Sequence, residues 1–259
     1  MIYFFKSLAQ SLADYGTALR FIFKHRLAWF FLVPIGLNIL LIWLGYWGFI
    51  EFVKDLQNIS IEATHLDNAV FWGSDILRSL LTGVTSLLFS ILLLVFFAYA
   101  GGYIVLAILS PFLAYLSEKA EKILTGKDYP FSIQQLMRDV VRGVLIVLRN
   151  TLYESLFGFI LFILSFIPPI GLITPIILFF ISAYYYGFSF VDYVLERRRL
   201  NTKSSMSFAK NHKGLVIGNG IPFTLVLLIP FVGLLLSGFF AIIATVSAVI
   251  TLNHNHNKN

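Results

Sequence analysis

Charged and uncharged stretches alternate along this chain on a scale set by a bilayer. Residues 27–50, 79–117, 155–191 and 214–252 contain no Asp, Glu, Lys or Arg. Crossing a bilayer core takes about 20 apolar residues. Residues 27–50 therefore predict a first spanning helix, with Trp43, Tyr46 and Trp47 forming an aromatic belt at its far end. Pro34 and Asn38 inside it read as a mild kink and an interhelical hydrogen bond. Residues 79–117 predict a second, tilted span whose boundary is suggested by Ser110-Pro111. Ahead of both, Phe5, Leu8, Leu12, Tyr15, Leu19 and Phe23 recur at intervals of three and four, with Lys6, Gln10, Asp14, Thr17 and Lys24 on other faces. That periodicity predicts an amphipathic helix over residues 1–26, lying in the interface plane. With Lys6 and Asp14 inside it, the segment does not resemble a cleaved signal peptide.

The last two uncharged runs share a broken pattern. Ile167-Pro168-Pro169-Ile170-Gly171-Leu172 interrupts the first, and Ile229-Pro230-Phe231-Val232-Gly233-Leu234 interrupts the second. Proline removes a backbone donor and disfavours helix in the residue before it, and the following glycine permits a reversal. Bends are thus expected at Pro168, Pro169 and Gly171, and at Pro230 and Gly233. The arms ahead of them, residues 155–167 and 214–229, hold thirteen and sixteen residues, short for a full crossing. Paired broken segments of this kind point to a transport site made by helices that enter a membrane without crossing it.

The expected fold class is an all-α integral membrane protein. It has two transmembrane helices, two proline-broken re-entrant hairpins (residues 155–191 and 214–252) and amphipathic interfacial helices. Lys and Arg number four in residues 1–26, six in 118–154 and six in 192–213, against two in the acidic segment 51–78. The positive-inside rule then puts residues 51–78 outside, and residues 118–154, the basic loop 192–213, the polar tail 253–259 and both termini in the cytoplasm. Six full spans would satisfy the same charge counts, so arm length alone favours the hairpins.

Composition changes this picture little and excludes much. The chain of 259 residues is 58% hydrophobic and 12% charged, with a mean hydropathy of +0.85, against about 25% charged for a soluble domain. One membrane domain over residues 1–259 accounts for it. Cysteine is absent, which rules out disulfides, thiolate metal sites and a cysteine nucleophile. The net charge of +6 sits beside apolar runs, where anionic lipid explains it without nucleic acid. No nucleotide-binding motif occurs, and no cofactor or enzymatic activity is expected.

Several residues carry chemistry that an anion pathway needs. Arg138, Arg142 and Arg149 fall on one stripe of a helix. They read either as an interfacial helix reaching lipid phosphates or as an anion vestibule. Glu118 and Glu121 lie one turn apart beside Lys119 and Lys122, as surface ion pairs or as a gate bridging to an arginine. Glu196 precedes Arg197, Arg198 and Arg199, a run that serves topology or touches substrate. Lys24, His25 and Arg26 stand immediately before the first span, where unpaired amides and the helix dipole favour an oxyanion. His254 and His256 read as solvated tail, and no metal site is expected. Small residues at intervals of four, Gly233, Ser237 and Ala241, and Ala98 and Gly102, suggest close helix contacts within one subunit or between copies.

The segment from Pro111 to Gly126 has the pattern Pro-Phe-x3-Leu-x-Glu-x2-Glu-x2-Leu-Thr-Gly. It resembles that of the CysZ sulfate permeases, within the etoposide-induced membrane protein family. Val33-Pro34-Ile35-Gly36-Leu37-Asn38, the two broken hairpins and Asp192-Tyr193 extend the resemblance over most of the chain. The resemblance implies two spans with two half-penetrating hairpins, a homo-oligomer in the bacterial inner membrane, and sulfate uptake. It also exposes a departure. The family's sulfate motif, Gly-apolar-Arg-Arg, falls here on Arg26, Leu27, Ala28 and Trp29. The expected function is an inorganic anion permease with sulfate as first choice; the alternative is a non-transporting scaffold of the same fold.

Overall fold

A computed structural model describes residues 2–41, 43, 47, 51, 54–55, 74–126, 133–229 and 232–256. Every element among them is a helix. In chain order these are α1 (Ile2–Lys24), α2 (Leu27–Leu41, opening as the 3-10 turn Leu27–Phe31), α3 (Ser74–Thr125) and α4 (Ile133–Ser165). They are followed by the short α5 (Pro168–Gly171), α6 (Thr174–Arg197), α7 (Thr202–Asn211), α8 (Lys213–Leu227) and α9 (Val232–His256). Among the described residues four stretches are long and apolar enough to cross a membrane: Gly101–Thr125, Val140–Ser165, Thr174–Arg197 and Val232–His254. The bent pair α1 and α2, which meet at 107°, would make a fifth. Most of the acidic segment 51–78 and the bend residue Pro230 lie outside the described residues.

The chain forms two units, residues 35–101 and the remainder. In the smaller, Leu80, Val84, Leu87, Leu88 and Ile91 form one exposed apolar face of α3, as a lipid-facing helix requires.

In the larger unit α1 is turned the opposite way from a helix on a soluble protein. Its buried residues are Ser11, Asp14, Ala18 and Ile22, packed on α8 and α9. Phe5 and Phe23 of the apolar stripe are each 61% exposed. With hydrocarbon outside, the small and polar face is the one that must be covered. Tyr15 donates to the Asn219 carbonyl and Thr251 Oγ1 donates to Asp14 Oδ2 at 2.7 Å.

Two helix boundaries differ from the sequence expectation. Pro111 does not end α3, which continues to Thr125. Leu106, Leu109, Leu113 and Leu116 form one fully buried stripe across the proline, so the helix packs continuously on both sides of it, and a membrane helix tolerates the one lost hydrogen bond where neighbouring helices cover the freed group. The tail is also shorter than expected, because α9 continues to His256. His254 Nδ1 lies 3.4 Å from Asp14 Oδ1, so this residue faces α1 instead of standing in a free tail.

The core of the unit is a crossing of α6 and α8 at two glycines. A Cβ at Gly187 would strike the Val216 carbonyl, and one at Gly220 would strike the Ala183 carbonyl. The spacings Ala183-x3-Gly187 and Val216-x3-Gly220 leave a groove on each helix for the other's backbone. The small-residue seams noted in the sequence are likewise filled by this chain. Gly102 faces Leu227 and Tyr186, while Ser237 and Ala241 are fully buried. Gly102, Ser237 and Ala241 therefore pack within this chain.

The first proline break is described in full. Ile167 N–H donates to Leu164, Ile170 and Gly171 both donate to Ile167, and Ile173 donates to Ile170. Backbone pairing thus carries through the bend. Its side chains are apolar and exposed, Phe166 at 74% and Leu172 at 81%. The arm before it is longer than the proline spacing suggested, since α4 runs unbroken for 33 residues.

The α6/α8 crossing makes a stability prediction with an internal control. Gly187→Ala should destabilise the protein by at least about 1–3 kcal/mol, since its Cβ meets backbone that cannot move aside. Gly16→Ala, where a Cβ meets nothing within 4 Å, should stabilise by about 0.4–1 kcal/mol. Thermal unfolding in detergent should shift down for the first and up for the second.

Candidate functional site

Seven charged residues of the larger unit gather where α6 ends. Helix α6 closes through a Schellman arrangement, with Arg199 N–H donating to Glu196 O at 2.8 Å and Leu200 N–H to Leu195 O at 3.1 Å. Arg199 takes the left-handed position, φ 60°, where glycine is usual. This exit turns the Leu200 carbonyl toward α4, and Asn201 then caps α7 by accepting from Ser204 N–H. The sequence run Glu196 to Arg199 is thereby split. Arg197 is buried, Arg198 half-buried and Arg199 exposed.

Three guanidinium groups meet four carboxylates there. Arg142 of α4 donates from Nε and Nη2 to both oxygens of Asp192, at 3.1 and 2.8 Å. It also donates to Ser205 Oγ at 2.9 Å and to the Leu200 carbonyl at 2.6 Å, with Glu196 at 3.6 Å. Arg197 pairs with Glu118 at 3.2 Å and Arg198 with Glu121 at 3.4 Å. Arg198 donates further to Asn253 at 3.0 Å. The two glutamates read from the sequence thus face arginines of α6, and α3, α4, α6, α7 and α9 are joined at one charged end. Bidentate and charge-assisted bonds are the strong kind, and they need this geometry to offset desolvation of the ions.

The other sequence candidates lie apart from that network. Arg138 donates to the Gln134 carbonyl one turn back at 3.3 Å, and Arg149 lies 5.0 Å above the Tyr153 ring. The stripe of three arginines is real in register but serves three different partners. His25 packs on Phe21 with ring centroids 4.4 Å apart, and Lys24 and Arg26 are exposed. Arg26 adopts φ 56° and ψ 31° ahead of the 3-10 turn, a backbone that suits glycine. Two residues past Ala28's neighbour Leu27, Trp29 carries Lys119 Nζ at 5.6 Å from its ring centroid. A cation from α3 therefore lies over the side chain of Trp29.

Sequence reasoning missed one residue altogether. Glu154 borders the uncharged run at Ser155 and was counted with the polar segment 118–154. Helix α4 carries it into the apolar stretch Val140–Ser165, where it is 3% exposed. Tyr103 donates to one of its oxygens and Ser182 to the other. One turn away, Asn150 Nδ2 donates to Ser189 Oγ at 2.9 Å and to the Tyr185 carbonyl at 3.1 Å. The available signal was the inward register of Val147, Asn150 and Glu154, which has meaning only once the helix is known to be continuous.

Comparison with known proteins gives a family. A family model described as Sulfate transporter CysZ/Etoposide-induced protein 2.4 matches residues 15–237. A Pseudomonas aeruginosa protein named Sulfate transporter CysZ is 28% identical over 224 residues, 85% of this chain and 87% of that protein. A protein of the same name from Pectobacterium atrosepticum is 27% identical over 209 residues, 80% of this chain and 72% of its own length.

Breaking the Arg142–Asp192 pair on one side should be costly. Asp192→Leu strands a guanidinium among protein atoms and should cost about 3–5 kcal/mol. Adding Arg142→Met should restore much of that loss, because neither charge then remains unpaired. Unfolding midpoints of the two single variants and the double variant in detergent measure this; a double variant as unstable as the sum of the singles would refute the coupling.

Proposed function

The chain belongs to the Sulfate transporter CysZ/Etoposide-induced protein 2.4 family, and on that premise we propose that it is a membrane permease for an inorganic anion, with sulfate as the first substrate. The observation that carries the reading is the set of basic residues at the start of α2. Lys24, His25 and Arg26 precede a helix start whose amides are free of side-chain caps, and Lys119 is held over Trp29 beside them. Unpaired amides, a helix dipole and cations together suit an oxyanion. Arg138 is a second binding candidate. Arg142, with Asp192 and Glu196 on it, serves with the Glu118–Arg197 and Glu121–Arg198 pairs as a gate of paired ions, and Arg199 adds field at the same end. The chain transports without hydrolysing nucleotide and is not an enzyme.

The proposed setting is the bacterial inner membrane, with a homo-oligomer and both termini in the cytoplasm. Two spans and two re-entrant hairpins remain the proposed topology, now for a different reason than arm length. A bend with exposed Phe166 and Leu172 and a backbone paired through its turns is suited to hydrocarbon and ill suited to water.

Radiolabelled sulfate should accumulate in liposomes carrying the purified protein, with chloride and phosphate as weaker competitors. Arg26→Gln and Lys24→Gln should each weaken sulfate binding by about 1.5–3 kcal/mol, roughly ten- to 150-fold. If wild type moves no more sulfate, chloride or phosphate than empty liposomes, the fold serves as a scaffold. If both variants bind as wild type does, the binding site lies at Arg138 or the ion-pair end instead.

Topology has its own test, made simple by the absence of cysteine. Single cysteines placed at Pro169 and Phe231 should resist a membrane-impermeant thiol reagent added from outside. A control cysteine in residues 51–78 should react. Full labelling at both bends would establish six spans.

A further inference from the structure

A carboxylate inside an apolar helix is expensive unless paired, and Glu154 has hydroxyl partners only. Among the described residues no cation lies within ion-pair distance of it. From α3 it faces Tyr103, on which Tyr186 stacks with centroids 4.3 Å apart. From α6 it faces Ser182, with Tyr185 close by. On its own helix the nearest charge is Arg149, which lies over Tyr153. Ionisable groups so placed in membrane helices mark ion or proton pathways.

A polar seam connects this site with the charged end. Along α4 the buried positions Glu154, Asn150 and Gly143 run back toward the loop, and the part-buried Arg142 next to Gly143 is about 18 Å from Glu154 along the helix at 1.5 Å per residue. Ser182, Ser189, Tyr193 and Asp192 follow the same course on α6. Three groups in the seam are buried without a protein partner: Asn150 Oδ1, Ser110 Oγ and the Tyr193 hydroxyl. Ser110 and Tyr193 both pack over Gly143, where a Cβ would come within 3.3 and 3.4 Å of them. Buried polar atoms left by the protein are ordinarily satisfied by water. Asn150 offers an acceptor there, and the two hydroxyls can both donate and accept, as proton relay along a file requires.

We propose that Glu154 is a proton-binding site within the membrane, exchanging its proton with the Arg142–Asp192 end through the Asn150, Ser110 and Tyr193 seam. As a carboxylate it accepts from both Tyr103 and Ser182 and ties α3 and α6 to α4 by charge-assisted bonds. Once a proton adds to one oxygen, that oxygen becomes a donor. Ser182 then turns to a backbone carbonyl of its own helix, as serines in helices do, and the tie weakens. The assignment does not depend on which anion the protein carries.

Infrared difference spectra of the full chain in lipid, taken against pH without any transported anion, test it. A carboxylic acid C=O band should appear as the pH falls and be missing from Glu154→Gln. In Tyr103→Phe, which keeps the carboxyl and removes one donor, the band should move in frequency. After transfer to D2O, Asn150→Leu should delay the deuterium shift of the band at least severalfold. A Glu154→Gln spectrum that superimposes on wild type at every pH would make Glu154 a fixed hydrogen-bond anchor. Should that variant not fold, absence of any band shift in Tyr103→Phe and Ser182→Ala would overturn the site. An unchanged deuterium rate in Asn150→Leu would overturn the seam as its route.

Discussion

Backbone meets backbone where α6 crosses α8, and the remaining contacts depend on that approach. In hydrocarbon, apolar side chains gain nothing by leaving lipid for protein, so helices associate through close packing and hydrogen bonds. Gly187 and Gly220 provide the packing, because neither tolerates a single added carbon. Drawn together there, α6 and α8 bring Phe190 and Tyr186 onto Phe223, with ring centroids 5.1 and 4.8 Å apart. Tyr186 in turn stacks on Tyr103, which holds Glu154. A widening of about one methyl at the crossing would therefore be transmitted, ring by ring, to the buried carboxylate.

The same solvent explains the distribution of polar groups. Asp14, Asn150, Glu154, Asp192 and Asn219 are all buried, and each engages another helix. The Asn219 side-chain amide donates to the Ala244 carbonyl at 3.2 Å while its backbone carbonyl accepts from Tyr15. In water such groups would gain about as much from solvent as from one another. Without water they become the specific links between helices that otherwise differ little in apolar character.

This is also why the sequence was legible in some places and not in others. Uncharged runs longer than a bilayer crossing, and the proline breaks after Ile167 and Ile229, are local features, and the helical membrane class follows from them. The outward stripe of α1, with Phe5 and Phe23, is the one an interfacial helix turns to lipid. What Ser11, Asp14, Ala18 and Ile22 pack against is not local, because α8 and α9 come from the far end of the chain. Partners were equally hidden. The spacing of Glu118 and Glu121 shows that they share a face, but Arg197 and Arg198 reach them only after about 75 intervening residues have folded. Pro111 is a stop signal in isolation, yet α3 continues through it, because a helix among other membrane helices tolerates the break that a soluble one would not.

Two arginines occupy left-handed backbone, Arg26 and Arg199. Glycine would relax each by roughly 1 kcal/mol, so backbone geometry alone does not call for arginine at either. One terminates the corner between α1 and α2, and the other terminates α6. Each places a permanent cation at a helix junction of the larger unit. At α6 the charge stands at a helix C-terminus, where the dipole favours it. Arg26 stands between the C-terminus of α1, whose dipole favours a cation, and the start of α2, whose dipole opposes it. The backbone strain is not offset in this way, and a bound anion would relieve the repulsion from α2. Arg26→Gly should therefore stabilise the anion-free protein while weakening anion binding, a divergence that a purely structural role for this corner would not produce.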